Sequence, residues 1–280
     1  EKILKISKKL IIACNSISDL DVSSSNASLA LEWNYCKPTL TQKNIFKVSN
    51  ARHPVLEQII YEKNDNRFLG NDCELNENNN IWLITGPNMA GKSTFLRQNA
   101  LINILAQMGC YVPADKATIG IADRIFSRVG SGDDISKGQS TFMLEMLETA
   151  SIVNQSSEKS FIILDEIGRG TSTWDGLSLA WSIIEYINEK IGAKTLFATH
   201  YHELSDLENK IKKLSLHHFE VKEIDEEITF IYQIIKGTAN KSYGIEVAKL
   251  AGLPKSILDR AKEVLLKLED SSKTNKVIDE

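Results

Sequence analysis

The sequence predicts an α/β protein in which helices flank a mixed, mainly parallel sheet. Three apolar runs, at residues 81–86, 161–166 and 194–200, are typical of buried strands. Helical patterns at residues 93–108 and 141–155 lie between them. Strands that alternate with helices usually form a parallel sheet with both faces covered, so we expect that arrangement here.

The other elements follow from local patterns. Pro38 ends the first helical region, because proline disfavours helical backbone at the residue before it. Gly109 stops the helix that precedes it. Residues 217–224 and 227–235 alternate in polarity like a β-hairpin. Further helices are expected at residues 1–18, 22–35, 177–191, 243–250 and 255–268. The apolar face expected for helix 141–155 consists of Phe142, Met143, Met146, Leu147, Ala150 and Val153.

Composition and charge limit the class of protein. The chain carries 33 Lys and Arg against 37 Asp and Glu, a formal net charge of −4, which argues against nucleic-acid binding by bulk charge alone. A local basic patch remains compatible with this balance. The 4 cysteines form no C-x-x-C pair, which favours free thiols in a reducing cytosol. No apolar run approaches the roughly 20 residues of a membrane span. We therefore expect a cytoplasmic protein with no membrane partner, and its opening within a helix suggests a piece of a longer chain.

A glycine-rich loop carries the strongest chemical signal. The sequence GPNMAGKST matches G-x-x-x-x-G-K-[ST], follows a strand and opens a helix. Gly86 and Gly91 let the backbone curl so that N–H groups point at phosphate oxygens. Lys92 is expected at the β- and γ-phosphates, and the Ser93 hydroxyl is expected to ligate Mg²⁺. The residues expected to contact the nucleotide are Gly86, Pro87, Asn88, Met89, Ala90, Gly91, Lys92, Ser93 and Thr94. The pattern thus predicts a P-loop NTPase.

Polar residues end two of the predicted strands. Asp165 ends a buried strand, where a carboxylate is costly unless it meets a cation, so it is the expected partner of Mg²⁺. Glu166 follows it and is expected to polarise the attacking water as general base. His200 ends another strand and is expected to hydrogen-bond the γ-phosphate or that water. His202 is expected at the surface.

Two loops near these motifs call for an explanation. GRGTSTWDG, residues 168–176, is rich in glycine and small hydroxyl residues and can lie close to another backbone. Ser140 or Thr141 stands where the N-cap of helix 141–155 is expected, and the free N–H groups there form an anion site. Because the first loop already surrounds its own phosphates, this second site makes best sense if it serves another molecule's nucleotide. Plain helix capping is the alternative.

Together these segments resemble the ATPase region of the MutS mismatch-repair family. GPNMAGKSTFLRQ, STFMLEM, LDEIGRGTSTWDGLSLAW and LFATHYHEL match that family's motifs in order and spacing, and RHPVLEQ and KSYGIEVAKLAGLP resemble its flanking segments. The form STFMLEM favours the mismatch-recognising branch. The resemblance covers residues 19–268 and implies an ABC-type ATPase that binds ATP or ADP with Mg²⁺ and works as a dimer.

The resemblance also implies roles for single residues. Ser140 would reach across the dimer to the partner's γ-phosphate. Phe68 would stack on adenine, and Tyr232 stands where the family has a second base-contacting ring. Asn88 would reach the γ-phosphate or the water. GTP is disfavoured, because the chain has no N-K-x-D motif.

By the same resemblance the chain divides into four parts. Residues 1–37 would end a lever-like helical region, residues 38–236 form the ATPase domain, residues 237–268 a helix-turn-helix dimerisation segment, and residues 269–280 a disordered tail. A DNA-reading role is the alternative for the helix-turn-helix. The expected partners are a second copy, MutL, and mismatched double-stranded DNA bound through parts absent here. The alternative functions are those of a transporter ATPase, a chromosome-maintenance ATPase or a nucleotide-gated dimerisation module.

Overall fold

The computed structural model describes residues 2–64, 68–130, 141–224, 227–239 and 243–276. Its helices are α1 (Lys2–Glu32), α2 (Leu56–Asn64), α3 (Lys92–Gln107), α4 (Thr141–Gln155), α5 (Thr173–Tyr186), α6 (Gly244–Leu250) and α7 (Lys255–Lys276). Its strands are β1 (Thr39–Thr41), β2 (Phe46–Ala51), β3 (Asn71–Leu75), β4 (Ile81–Thr85), β5 (Lys116–Gly120), β6 (Ile125–Arg128), β7 (Phe161–Asp165), β8 (Lys194–Ala198), β9 (Leu214–Ile224) and β10 (Glu227–Lys236). None of the helices described is long and apolar enough to cross a bilayer.

Six strands form the central sheet in the order β10-β9-β4-β8-β7-β6. Every neighbouring pair is parallel except the β9–β10 hairpin. The mainly parallel sheet and the hairpin predicted from the sequence are therefore confirmed. Strand β8 lies between β4 and β7, and the carboxyl ends of these three parallel strands lie at one edge of the sheet.

Both faces of the central sheet are covered, as the apolar runs predict. All residues of β4, β7 and β8 are buried. Successive side chains of a strand point to opposite faces. Trp82 and Ile84 accordingly join one hydrophobic core, while Ile81 and Leu83 join the other.

A second sheet, in the order β1-β5-β2-β3, was not predicted from the sequence. Its strands are short, and only alternate side chains of β2 and β3 are fully buried. It shares a core with the central sheet, where the rings of Phe46 and Phe161 lie 4.8 Å apart between centroids. The stretch before residue 81 thus supplies three of the four strands of a second layer.

Two expectations about the ends of the chain were wrong. The opening region is one continuous helix, α1, rather than two, because Asp19-Leu20-Asp21 contains no proline or glycine to break it. Helix α7 continues to Lys276, into the segment expected to be disordered, and the sequence between Lys255 and Lys276 again contains no helix breaker.

The buried face of α4 also differs from the predicted one. Glu145, Thr149 and Ile152 are its buried residues, whereas Met143 and Leu147 are exposed. Met146 of the predicted face does pack against the core beside Ile152, while the Glu145 carboxylate is buried because it has partners there.

Candidate functional site

The glycine-rich loop joins β4 to α3, as predicted. Gly86 and Gly91 both have left-handed backbone, with φ of 118° and 106°, which side chains other than glycine rarely adopt. Lys92 is buried, and its Nζ donates to the carbonyl oxygens of Gly86 at 2.5 Å and Thr199 at 3.2 Å. Burial lowers the pKa of Lys92, and the nearby carboxylates of Glu166 and Asp165 act in the opposite direction. The Lys92 ammonium therefore occupies the loop's interior, where backbone carbonyl oxygens bind it.

Ser93 and Asp165 form a close oxygen pair. The Ser93 hydroxyl donates to Asp165 Oδ2 at 2.7 Å. Burial raises the pKa of Asp165, and the hydrogen bond from Ser93 partly offsets this. The other oxygen, Oδ1, is buried and has no hydrogen-bond partner among the described residues. A hydroxyl beside a carboxylate with a free oxygen is the donor set that Mg²⁺ takes when phosphates and water complete its shell.

Glu166 leaves the strand in a left-handed conformation, with φ of 55°. Its Oε2 accepts from Arg169 Nη1 at 2.5 Å, and its Oε1 lies 3.9 Å from Lys92 Nζ. The carboxylate is thus held between two cations. A non-glycine residue in this conformation costs about 1–3 kcal/mol, and such strain is often found at functional sites.

His200 follows Thr199, whose carbonyl receives the Lys92 ammonium. The imidazole is exposed, and it packs at 4.1 Å against the Tyr201 ring. Surrounding protein atoms still disfavour its charged form and lower its pKa. His200 lines a small recess with Gly86 and Pro87, separate from the cavity that Glu166 lines. His202 is exposed, as expected.

The residues predicted to bind Mg²⁺ and to act as general base line one charged cavity of about 440 Å³. Ser93, Asp165 and Glu166 line it. Arg169, from the loop after Glu166, lines it as well, and so do three charged residues to which the sequence assigned no role: Arg97, Arg128 and Glu145. Arg128 had a usable signal, since it ends β6, the parallel neighbour of β7.

A second cavity, of about 580 Å³, is mainly apolar and lies on the other side of the loop. Phe68 and Tyr232, far apart in sequence, both line it, as does Gly91. Ser93 lines this cavity and the charged one. Further lining residues that sequence reasoning missed are Leu56, Ile60, Asn71, Gln98 and Phe219.

Three predicted features remain: Ser140, Asn88 and the loop at residues 168–176. Ser140 lies outside the described residues. The backbone of Asn88 belongs to a short 3-10 turn, Asn88–Ala90. The 168–176 loop does approach another backbone, since a Cβ on Gly170 would lie 3.2 Å from the Phe142 Cα of α4.

These features define a mixed α/β domain with a glycine-rich, lysine-bearing loop at the carboxyl edge of its central sheet. The family model for MutS domain V matches residues 82–269. The DNA mismatch repair protein MutS of Orientia tsutsugamushi (strain Ikeda) is 56% identical over 250 residues, which cover 89% of this chain and 28% of that protein. The MutS of Rickettsia prowazekii (strain Madrid E) is 52% identical over 271 residues, 97% of this chain and 30% of its own length.

The chain belongs to the MutS family. It spans less than a third of the length of the curated relatives it matches.

Proposed function

We propose that the chain is the ATPase module of a MutS-type DNA mismatch repair protein, with the P-loop NTPase fold of the ABC type. The observation that carries this proposal is the position of Ser93, which lines both the apolar and the charged cavity. A nucleoside triphosphate has an apolar base at one end and charged phosphates at the other. The two cavities match these two ends.

The base would occupy the apolar cavity between Phe68 and Tyr232. Aromatic rings stack favourably with a flat base, and the other lining side chains are largely apolar. The phosphates would lie along the loop, where the N-terminus of α3 offers unpaired N–H groups. Lys92 would exchange the carbonyl oxygens of Gly86 and Thr199 for phosphate oxygens, gaining a charged partner for a buried ammonium.

Mg²⁺ would be held by Ser93 and Asp165. When bound, the ion neutralises phosphate charge and stabilises the negative charge that develops on the leaving oxygen. The free Asp165 Oδ1 is the observation that fits this role. Ser93 Oγ would turn from Asp165 toward the ion.

Glu166 would accept a proton from the water that attacks the γ-phosphorus. The P–O bond to the β-phosphate then breaks, ADP takes its electron pair, and inorganic phosphate is released. Since Oε2 is held by Arg169, the oxygen that would take the proton is Oε1, which lies 3.9 Å from Lys92 Nζ. His200 and Asn88 would contact the γ-phosphate or the water from the loop side.

The site would be completed by Ser140 of a second copy. A helix N-terminus brought to the γ-phosphate supplies N–H groups and positive partial charge that one copy lacks. Nucleotide binding and dimer closure would then be coupled reciprocally. In the full-length protein, that closure would switch the mismatch-bound state to a sliding clamp that recruits MutL, while residues outside this chain bind the DNA.

The Ser93→Ala variant tests the proposal. Isothermal titration should show that Mg²⁺ strengthens ATP binding to the unaltered chain but hardly to this variant, and phosphate release should fall steeply. Ser178→Ala, an exposed serine on α5, is the matched control. Mg²⁺-dependent hydrolysis at an unchanged rate in Ser93→Ala would contradict the proposed function.

A further inference from the structure

Tyr232 occupies an irregular point in the β9–β10 hairpin. The pairing register shifts between Phe230 and Ile234, and Tyr232 has a left-handed φ of 58°. For a residue with a side chain, this conformation is unfavourable unless its surroundings fix it. The shift also leaves backbone groups near Tyr232 without partners in the ladder. Something outside the hairpin must therefore stabilise the bulge.

Asn71 supplies that support from the other sheet. It is buried at the start of β3, and its Nδ2 donates to the Tyr232 carbonyl at 2.9 Å. The backbone N–H of Ile234 donates to Asn71 Oδ1 at 2.7 Å. One carboxamide thus pairs a donor and an acceptor on either side of the bulge. These two partners also fix which end of the amide is oxygen, since a carbonyl must receive the NH₂ group.

The bulge controls where the Tyr232 ring lies. Its Cδ1 is 3.5 Å from the point that a Cβ on Gly91 would occupy, so the ring rests against the glycine-rich loop. About half of the side chain is exposed to solvent at the apolar cavity. The ring also lies 6.3 Å from the Phe230 ring between centroids, but Phe230 belongs to the same strand. The Asn71 hydrogen bond is what ties the Tyr232 backbone to the other sheet.

Asn71 also links the two aromatic walls of that cavity. Phe68 lies three residues before it on the approach to β3, and Tyr232 is held by its side chain. Asn71 itself lines the same cavity. One buried amide therefore ties the Tyr232 backbone to the strand whose approach carries Phe68.

We propose that Asn71 is a positioning residue that sets how strongly the site holds the base of a bound nucleotide, by fixing the bulge that aims Tyr232. This inference rests on the proposed nucleotide-binding function. The inference concerns only the part of the ATP affinity that comes from contacts with the base. The phosphate-binding loop makes no hydrogen bond to Asn71 among those of the described residues.

The test compares a ligand with a base and a ligand without one. Binding of Mg·ATP and of Mg·tripolyphosphate is measured by isothermal titration for the full chain. Asn71→Asp keeps an acceptor for the Ile234 N–H but places a carboxylate against the Tyr232 carbonyl. It should weaken Mg·ATP binding about tenfold, as expected for one lost hydrogen bond and an unpaired buried group, and leave tripolyphosphate binding unchanged. Asn78→Asp, the same change on an exposed turn residue, should alter neither.

A double-mutant comparison separates positioning from general stability. In a Tyr232→Ala background, Asn71→Asp should cause no further loss of ATP affinity, because the ring it aims is gone. Asn71→Ser replaces Asn71→Asp if the latter does not fold. Equal losses for both ligands, or an undiminished ATP affinity in the Asn71 variants, would overturn the inference alone. Failure of the unaltered chain to bind either ligand would overturn the proposed function together with it.

Discussion

The backbone N–H of Gly168 donates a 2.5 Å hydrogen bond to the buried Oε1 of Glu145. This contact joins α4, the helix that follows Ser140, to the loop that follows Glu166. On its other side, the Gly168 carbonyl accepts from the Tyr201 hydroxyl at 3.0 Å. Gly168 therefore ties the segments of Glu166 and His200, predicted to act on this chain's own nucleotide, to the helix after Ser140, predicted to act on the partner's.

Removing the Glu145 carboxylate should loosen the loop that follows Glu166. The apolar cavity proposed for the base should stay unchanged, because Glu145 does not line it. We expect Glu145→Ala to slow phosphate release about tenfold, the equivalent of one net hydrogen bond, with little change in ATP affinity. Glu145→Gln should be closer to the unaltered chain, because its amide oxygen still accepts from Gly168. Steady-state kinetics and titration measure the two quantities.

Glu148→Ala is the control for that experiment. Glu148 lies on the same helix and pairs with Arg128 at 2.9 Å, but it is about half exposed, and the Gly168 N–H donates to Glu145 instead. If Glu148→Ala and Glu145→Ala slow hydrolysis equally, the hydrogen bond from Gly168 to Glu145 does not position Glu166.

Glu166→Gln should separate binding from hydrolysis. The amide can still accept from Arg169 but cannot take a proton from water, so turnover should fall by about 100-fold or more. ATP should still bind. Rapid-quench measurement of ADP formation checks this, with the exposed Glu189→Gln as control. Near-normal ADP formation in Glu166→Gln would remove Glu166 as the general base.

The burial of His217 should make the free energy of unfolding depend on pH, independently of nucleotide binding. Its ring stacks on Trp82 at 3.6 Å, and burial lowers its pKa to about 4. A His with a depressed folded-state pKa stabilises the fold above the unfolded value near 6.5, and this stabilisation is lost as pH falls toward 4. Between pH 7.5 and 5, the free energy of unfolding should fall by about 2 kcal/mol on this account.

Urea unfolding of the unaltered chain and of His217→Gln measures that contribution as the difference between their pH dependences. His202→Gln, which alters an exposed imidazole, should retain the full dependence. An identical loss of stability on acidification in His217→Gln would assign the effect to other groups.

The glycine-rich loop, the acid pair and the strands around them were predictable because each signal is local. The apolar runs identify β4, β7 and β8, and parallel pairing then brings their carboxyl ends together. Phe68 and Tyr232 were predicted only through the family resemblance, and the structure places both at one cavity. Whether they contact a base stays a prediction.

The parts that sequence reasoning missed depend on contacts between distant segments. Strands β2 and β3 are short and half buried, so their pattern is weak until β5 pairs with β2. Arg97 carries no signal in the sequence, and Arg128 carries one only once β6 is recognised as a strand. Both line the charged cavity because α3 packs near β6. The buried position of Glu145 shifts the inward face of α4 away from Met143 and Leu147, because a buried charge with partners can outweigh apolar periodicity.

The central claim is that a complete triphosphate site forms only where two copies meet. Lys92→Ala should bind ATP about 10- to 100-fold more weakly, since a charged hydrogen-bond donor to phosphate is lost, whereas Lys190→Ala at the opposite edge of the sheet should not. Ser140→Ala should bind ATP but hydrolyse it slowly. Mixing the two inactive variants, in a form of the protein that dimerises, is the most direct measurement. The account predicts recovery of about one working site per heterodimer, and a mixture as inactive as its components would contradict it.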